Sequence, residues 1–197
     1  MERSSFELNP AVIHEIQTER LTLRRFGAGD AEIVERLLND REIASNTRSI
    51  DFPYPAGAAA IWIEFHQTKW ESGDASVFAI CHRQTGQLLG GIGLEIEKSD
   101  HNAELGYWIG REFWNQGFCS EAATAILNHG FQHLGLHRIH GHHMTRNPAS
   151  GRVMQKIGMK REGLLRGHSR KWGVFEDIVV YGILASDPRP ANEQRNS

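Results

Sequence analysis

The chain predicts a mixed α+β domain with helices packed on both faces of one sheet. Two kinds of segment carry that reading. Arg20–Phe26 alternates apolar and polar residues with period two, as a half-buried strand does, while 58–71 repeats its apolar residues at helical spacing. The third observation is Glu104–Glu121, where an apolar strand pattern runs through a glycine-centred loop into a helix pattern. At 197 residues, 40% hydrophobic and 23% charged, the chain suits one domain with a sizeable core.

Composition excludes several classes. A formal net charge of −2 gives no electrostatic footprint for nucleic acid. Cys81 and Cys119 are the only cysteines and form no CxxC, so no disulfide framework is indicated and a reducing, cytoplasmic setting is expected. The first ten residues lack the apolar core of a signal peptide, and no apolar run reaches membrane-spanning length.

In chain order, 1–17 reads as a weakly structured lead-in, 18–186 as the folded domain, and 187–197 as a disordered tail. Leu21, Leu23 and Arg25 mark one face of the first strand. Asp30 is placed as the N-cap of a helix to Leu38 with Ile33, Leu37 and Leu38 inward. Residues 41–55, with Asn46, Pro53 and Pro55, read as irregular. The helix over 58–71 turns Ile61, Trp62, Phe65 and Trp70 inward. Strands over 76–82 and 87–97 form a hairpin through Arg83–Gly86, and the Gly90-Gly-Ile-Gly93 run signals a bulge or a close backbone approach. After the long helix come a strand over 138–144 and a helix opened by Asn147 and Pro148 and closed by Gly158. A hairpin of 160–168 with 172–184 completes the order strand, two helices, three strands, helix, strand, helix, two strands.

The loop Trp114–Ser120 lies between a strand and a helix, with Gly117 at its centre. Unpaired N–H groups and the helix dipole make such a helix start a site for an anion, and glycine lets the backbone approach it. It is neither a Walker loop nor Gly-x-Gly-x-x-Gly.

Five motifs in order resemble the GNAT superfamily of acetyl-CoA-dependent N-acetyltransferases, and within it the RimJ/RimL-type branch that acetylates protein N-termini and various small amines. They are Thr18-Glu-Arg-Leu-Thr-Leu-Arg24, Glu104-Leu-Gly-Tyr-Trp-Ile109, Trp114-Asn-Gln-Gly-Phe-Cys-Ser-Glu-Ala122, Asn147-Pro-Ala-Ser150 with Lys156-Ile-Gly-Met159, and Asp177-Ile-Val-Val-Tyr181. The resemblance spans Thr18–Leu184. It implies one mostly antiparallel sheet of about six to seven strands, an amine acceptor, acetyl-CoA as co-substrate without a metal, and admits a homodimer.

By that resemblance, the backbone amides of Asn115, Gln116, Gly117, Phe118, Cys119 and Ser120 bind the CoA pyrophosphate, with Trp114 at the first position of the cofactor loop. The strand at Trp108, Ile109 and Gly110 splays from its neighbour so that pantetheine pairs with it. The resemblance also brings Asn147 against pantetheine; Arg152 and Lys156, four apart on one helical face, are candidates for the CoA phosphates, with a solvated face as the alternative for at least one of them. Cys119 stands where the family has a small residue, read as a tolerated substitution ahead of a reactive thiol. Glu121 must point away from the phosphates it would repel.

Acetyl transfer needs a deprotonated amine, a polarised thioester carbonyl and a stabilised leaving thiolate. Glu104 is the candidate base, with an edge-of-sheet salt bridge as the alternative. Backbone N–H near Ile109 can polarise the carbonyl. Many family members carry a tyrosine seven residues after the asparagine; Met154 stands there instead, so Ser150 is the candidate acid, with a helix-end hydrogen bond as the alternative. Phe52, Tyr54, Trp62 and Trp70 are expected to shape the acceptor pocket. His129, His133 and His137 recur four apart, without the thiolates or carboxylates of a metal site. Two alternatives to acetyl transfer are a CoA- or amine-binding sensor without turnover and an enzyme using another acyl-CoA.

Overall fold

The computed structural model describes residues 15–189. Its strands are β1 (Glu15–Gln17), β2 (Leu21–Arg25), β3 (Ala75–His82), β4 (Leu88–Glu97), β5 (Asn102–Ile109), β6 (Arg138–Met144), β7 (Lys160–Lys171) and β8 (Val174–Leu184). Its α-helices are α1 (Ala31–Leu38), α2 (Arg41–Asn46), α3 (Ala58–Ser72), α4 (Phe118–Gln132) and α5 (Pro148–Lys156). The eight strands form one sheet in the order β1-β2-β3-β4-β5-β6-β8-β7. Every pairing is antiparallel except β5 with β6.

Alternation along β2 and β5 divides the core into two layers. Leu21, Leu23, Leu105 and Ile109 join Ile126 and Leu127 of α4 and Met154 of α5 on one face. On the other, Phe26, Ala79 and Cys81 meet Val34, Leu37 and Leu38 of α1 and Ala59 and Ile63 of α3. The sheet is thus covered on both sides, as the interleaved periodicities require.

Several local expectations are corrected. Glu15–Gln17, placed in the lead-in, pairs with β2 through Glu15↔Arg24 to Gln17↔Thr22. Within 41–55, residues Arg41–Asn46 are helical, because Asp40 Oδ1 accepts from Glu42 N and Ile43 N at 2.7 and 3.2 Å. The helical phase differs as well. Ile33, Ile61 and Phe65 are exposed; Leu37 and Leu38 face inward as expected, joined by Val34 in place of Ile33, and Ala59 and Ile63 take the inward phase of α3. Asp30 makes no side-chain cap; it accepts from Gly27 N at 2.8 Å and from both Nη atoms of Arg24. Of the expected tail, Asp187 accepts from Leu184 N, and Arg189 donates to Asn128 Oδ1. The rest of the lead-in and tail lies outside the described residues.

Candidate active site

The site begins where two parallel strands part. β5 and β6 are in register only over Asn102↔Arg138, Ala103↔Ile139 and Glu104↔His140. Beyond Glu104 they diverge. On its other side β5 stays paired with β4 to Ile109↔Gly90, and Gly110 N donates to Leu89 O at 2.8 Å. An antiparallel ladder alternates the direction of its backbone groups. The even residues through Gly110 therefore address β4, and Leu105, Tyr107 and Ile109 turn their N–H and C=O groups toward the gap. Trp114 Nε1 takes the Ile109 carbonyl at 2.7 Å, which leaves the Ile109 N–H facing the gap. The backbones of Trp108 and Gly110, expected to pair with pantetheine, are thus engaged by β4; the gap-facing residues are Tyr107 and Ile109. β4 can lie this close because it carries glycine: a Cβ on Gly90 would sit 2.2 Å from Trp108 O.

At the end of the gap the chain turns into α4. Asn115 and Gly117 have positive φ, 60° and 82°, and the first helical bond runs from Glu121 N to Gly117 O. The N–H groups of Phe118, Cys119 and Ser120 precede it and have no acceptor within the helix. Glu121 turns back from this end. It accepts from Thr18 Oγ1 at 2.6 Å, from Arg20 N at 2.8 Å and from Arg20 Nε at 2.7 Å. Arg20 also donates to Gln116 O and lies over the Phe118 ring. Burial pushes the Glu121 carboxyl up, and these hydrogen bonds outweigh it and hold the group below the usual carboxylate range. One ion pair therefore fastens the loop to β2 and cancels the charge that would repel phosphate.

A cleft of about 820 Å³ joins the loop to the α3 face of the sheet through the gap. Glu104, Trp108, Ile109, Trp114, Asn115, Gly117, Phe118, Cys119, Ser120, Asn147, Ser150, Arg152 and Lys156 all line it. Gly110 and Gln116 do not; the Gln116 side chain donates instead to Glu112 O. Glu104 sits at the mouth of the gap, with His142 Nδ1 3.3 Å from its Oε1. Burial lowers His142 below its ordinary value against the pull of Glu104, so the imidazole faces the carboxylate in its neutral form at neutral pH. Glu95 lies directly opposite Glu104 on β4. It is held by Lys69 and His66; the His66 hydrogen bond is the largest influence keeping it below the usual range.

A family profile for the acetyltransferase (GNAT) domain matches residues 20–160. This chain belongs to the GNAT acetyltransferase family. It is 33% identical over 177 residues to the uncharacterized N-acetyltransferase YoaA of Bacillus subtilis, covering 86% of this chain and 96% of that protein. It is 27% identical over 142 residues to the [ribosomal protein uS5]-alanine N-acetyltransferase of Escherichia coli, 70% of this chain and 71% of that one. A GNAT-family acetyltransferase structure from Bacillus anthracis superposes with a TM-score of 0.79 at 28% identity, covering 88% of this chain and 99% of its own. The GNAT protein is accordingly an acetyl-CoA-dependent N-acetyltransferase with RimJ/RimL-like relatives. The cradle fits its co-substrate: exposed strand backbone suits pantetheine amides, and the free α4 amides with their glycine turn suit a pyrophosphate.

In this GNAT protein the serine has an unexpected neighbour. Asn147 Oδ1 caps α5 by accepting from Ser150 N at 3.2 Å, and the Ser150 hydroxyl lies 2.8 Å from Tyr107 Oη. Tyr107 belongs to the Glu104–Ile109 motif, yet nothing in its spacing points to a residue 43 positions away. Met154, at the family's tyrosine position, is 1% exposed in the core. Cys119 is part-buried, and burial pushes its thiol up to about 12, the behaviour of a small core residue rather than a nucleophile. Of the aromatic residues expected around the acceptor, Tyr54 and Trp62 line the cleft. Phe52 is exposed, and Trp70 packs edge-on against Phe78.

The histidines disperse. His129 is buried beside Ser76 Oγ at 3.0 Å, with burial lowering it to about 4. α4 ends at Gln132, so His137 is not on its face. Among the described residues no group of three or more His, Cys, Asp or Glu is arranged to hold a metal ion.

Proposed function

We propose that the acceptor amine attacks the acetyl-CoA thioester directly, with Glu104 as the base that takes its proton. The observation carrying this reading is the position of Glu104: the last β5 residue paired with β6, at the mouth of the gap and on the cleft. Its neighbour His142 is neutral, so no fixed cation competes for the carboxylate. Glu95 is the poorer base, because Lys69 and His66 already hold it. The Ile109 N–H, facing the gap, polarises the thioester carbonyl. Ser150, in the first turn of α5, stabilises the leaving thiolate with help from the helix dipole.

The acceptor is a primary amine, with a protein N-terminal α-amine favoured over a small-molecule amine. The relative that acts on the uS5 alanine supports the first. A solved spermidine N-acetyltransferase from Vibrio cholerae, 26% identical with a TM-score of 0.75, keeps the second in view. Gly106, two residues along β5 from Glu104, lines the cleft and has nothing within 4 Å of where a Cβ would stand, so the floor there is open to an acceptor. Release of free thiol from acetyl-CoA, screened over short peptides and amines, tests the reading. Glu104→Gln lowers the rate at neutral pH and recovers in part where the acceptor is already deprotonated. An unchanged pH–rate profile removes Glu104 as base.

A further inference from the structure

We infer that the Tyr107 side chain is a positioning group for departure of the thiolate: its phenol makes no bond to the reacting atoms, but holds the Ser150 hydroxyl so that its hydrogen faces the sulfur of acetyl-CoA. The inference rests on the role proposed above for Ser150. Two banks of the gap meet here. Tyr107 lies on β5, inside the stretch that has parted from β6, and Ser150 lies in the first turn of α5. Tyr107 Oη is 2.8 Å from Ser150 Oγ, a contact in which either hydroxyl can donate, and 3.1 Å from Ser150 O, to which only Tyr107 can donate. Asn147 fixes the Ser150 backbone at the same time, so the serine is held from both ends.

The hydrogen count makes the arrangement consequential. A phenol has one hydrogen to donate. Directed along the shorter contact, it goes to Ser150 Oγ, and the serine's own hydrogen is then free to turn into the cleft that Ser150, Asn147 and Cys119 line. A hydroxyl that accepts one hydrogen bond is a stronger donor of the next. Burial pushes the Tyr107 phenol far above its ordinary value, so it stays a donor throughout the working pH range and does not itself surrender a proton.

The step balances as follows. The amine lone pair forms the C–N bond, and the carbonyl electrons move to oxygen. Collapse of that intermediate breaks the C–S bond, and the electron pair leaves on sulfur. Ser150 donates a hydrogen bond to the thiolate, Glu104 takes the amine proton, and the thiolate is protonated by water on release. No tyrosine is needed at position 154, whose methionine packs beneath Gly141, with Cε 3.2 Å from where a Cβ there would lie. The donor to sulfur is Ser150 on the same helix, α5, and the phenol that orients it comes from the opposite bank, β5.

The opposite hydrogen-bond direction makes the opposite prediction. If Ser150 donated to Tyr107, and Tyr107 to the Ser150 carbonyl, the serine hydrogen would be consumed, and removing the phenol oxygen would free it. The experiment is steady-state thiol release by Tyr107→Phe, Ser150→Ala and the double variant, with acetyl-CoA affinity measured by calorimetry. Tyr107→Phe is expected to lower kcat about tenfold, with KM and Kd for acetyl-CoA within about twofold. Ser150→Ala is expected to cost at least as much, and the double variant no more than Ser150→Ala alone. Wild-type or faster turnover in Tyr107→Phe overturns the inference, as do additive losses in the double variant. Full activity in Ser150→Ala overturns it together with the serine's role, while the Glu104 reading stands or falls on its own pH profile. Should Tyr107→Phe not fold, 3-fluorotyrosine at position 107 keeps the shape and strengthens the donor: a higher kcat supports the inference, and an unchanged or lower one overturns it.

Discussion

The two ends of the cleft are built from different materials. At the end we propose for the cofactor, the groups on offer are backbone: the N–H and C=O of Tyr107 and the N–H of Ile109, then the amides of Phe118, Cys119 and Ser120 behind Gly117. Side chains there act at a distance, as Arg20 and Glu121 do in tying the loop to β2. At the end we propose for the acceptor, the groups on offer are side chains, Glu104 with His142 and Glu95 with Lys69 and His66. Backbone cradles depend on conformation, so they tolerate most side-chain changes and fail where φ or a close approach is violated. Side-chain sites fail one functional group at a time.

That contrast is sharpest at Gly117. Its φ of 82° disfavours any side chain, and a Cβ there would lie 3.3 Å from Arg20 Nη2. Gly117→Asp also brings a negative charge to the anion site. Its acetyl-CoA affinity should fall at least about a hundredfold, near 2.7 kcal/mol, by calorimetry, while circular dichroism stays native. Glu104→Gln should do the reverse: turnover at pH 7 falls about a hundredfold and acetyl-CoA affinity is unchanged. The pH at which the variant recovers then sorts the acceptor, near about 8 for an α-amine and near about 10 for an alkyl amine.

The fastening at the cofactor end responds less. Glu121→Gln keeps the shape and loses the charge opposite Arg20, so the melting temperature should fall by about 2–4 °C at pH 7, for about 1 kcal/mol. Because the folded carboxyl sits below its ordinary value, its contribution is present above the unfolded value and lost as pH falls through the folded one. The gap in melting temperature between wild type and variant should therefore close as the pH falls from the ordinary carboxylate range to below it. The smallest effect belongs to the thiols. Cys81 and Cys119 are both raised by burial, so iodoacetamide at neutral pH should label neither at an appreciable rate until the protein is denatured, as mass spectrometry would show.

The same contrast explains which features were readable beforehand. Gly117, Asn147, Pro148 and Gly158 announce backbone requirements that are local in sequence, and the loop, the capped helix and its end all lie where those residues place them. Orientation of Glu121 followed from charge alone. Other features depend on register or on helical phase. Glu95 faces Glu104 only because β4 and β5 pair in one register of several, and Tyr107 meets Ser150 only because β5 leaves β6. Ile33 and Ile61 look like core residues by type, yet Val34 and Ile63 occupy the inward phase. α2 was hidden by the prolines that follow it, although Asp40 carries an ordinary capping signal.

The most direct measurement is calorimetric titration of acetyl-CoA into the wild type and Glu104→Gln, side by side. Equal binding by both, with turnover lost only in the variant, is the result expected of a backbone cradle joined to a side-chain base. No heat from the wild type would contradict the cradle itself. Binding lost along with Glu104 would show that the two ends are one site, contradicting the division on which the mechanism rests.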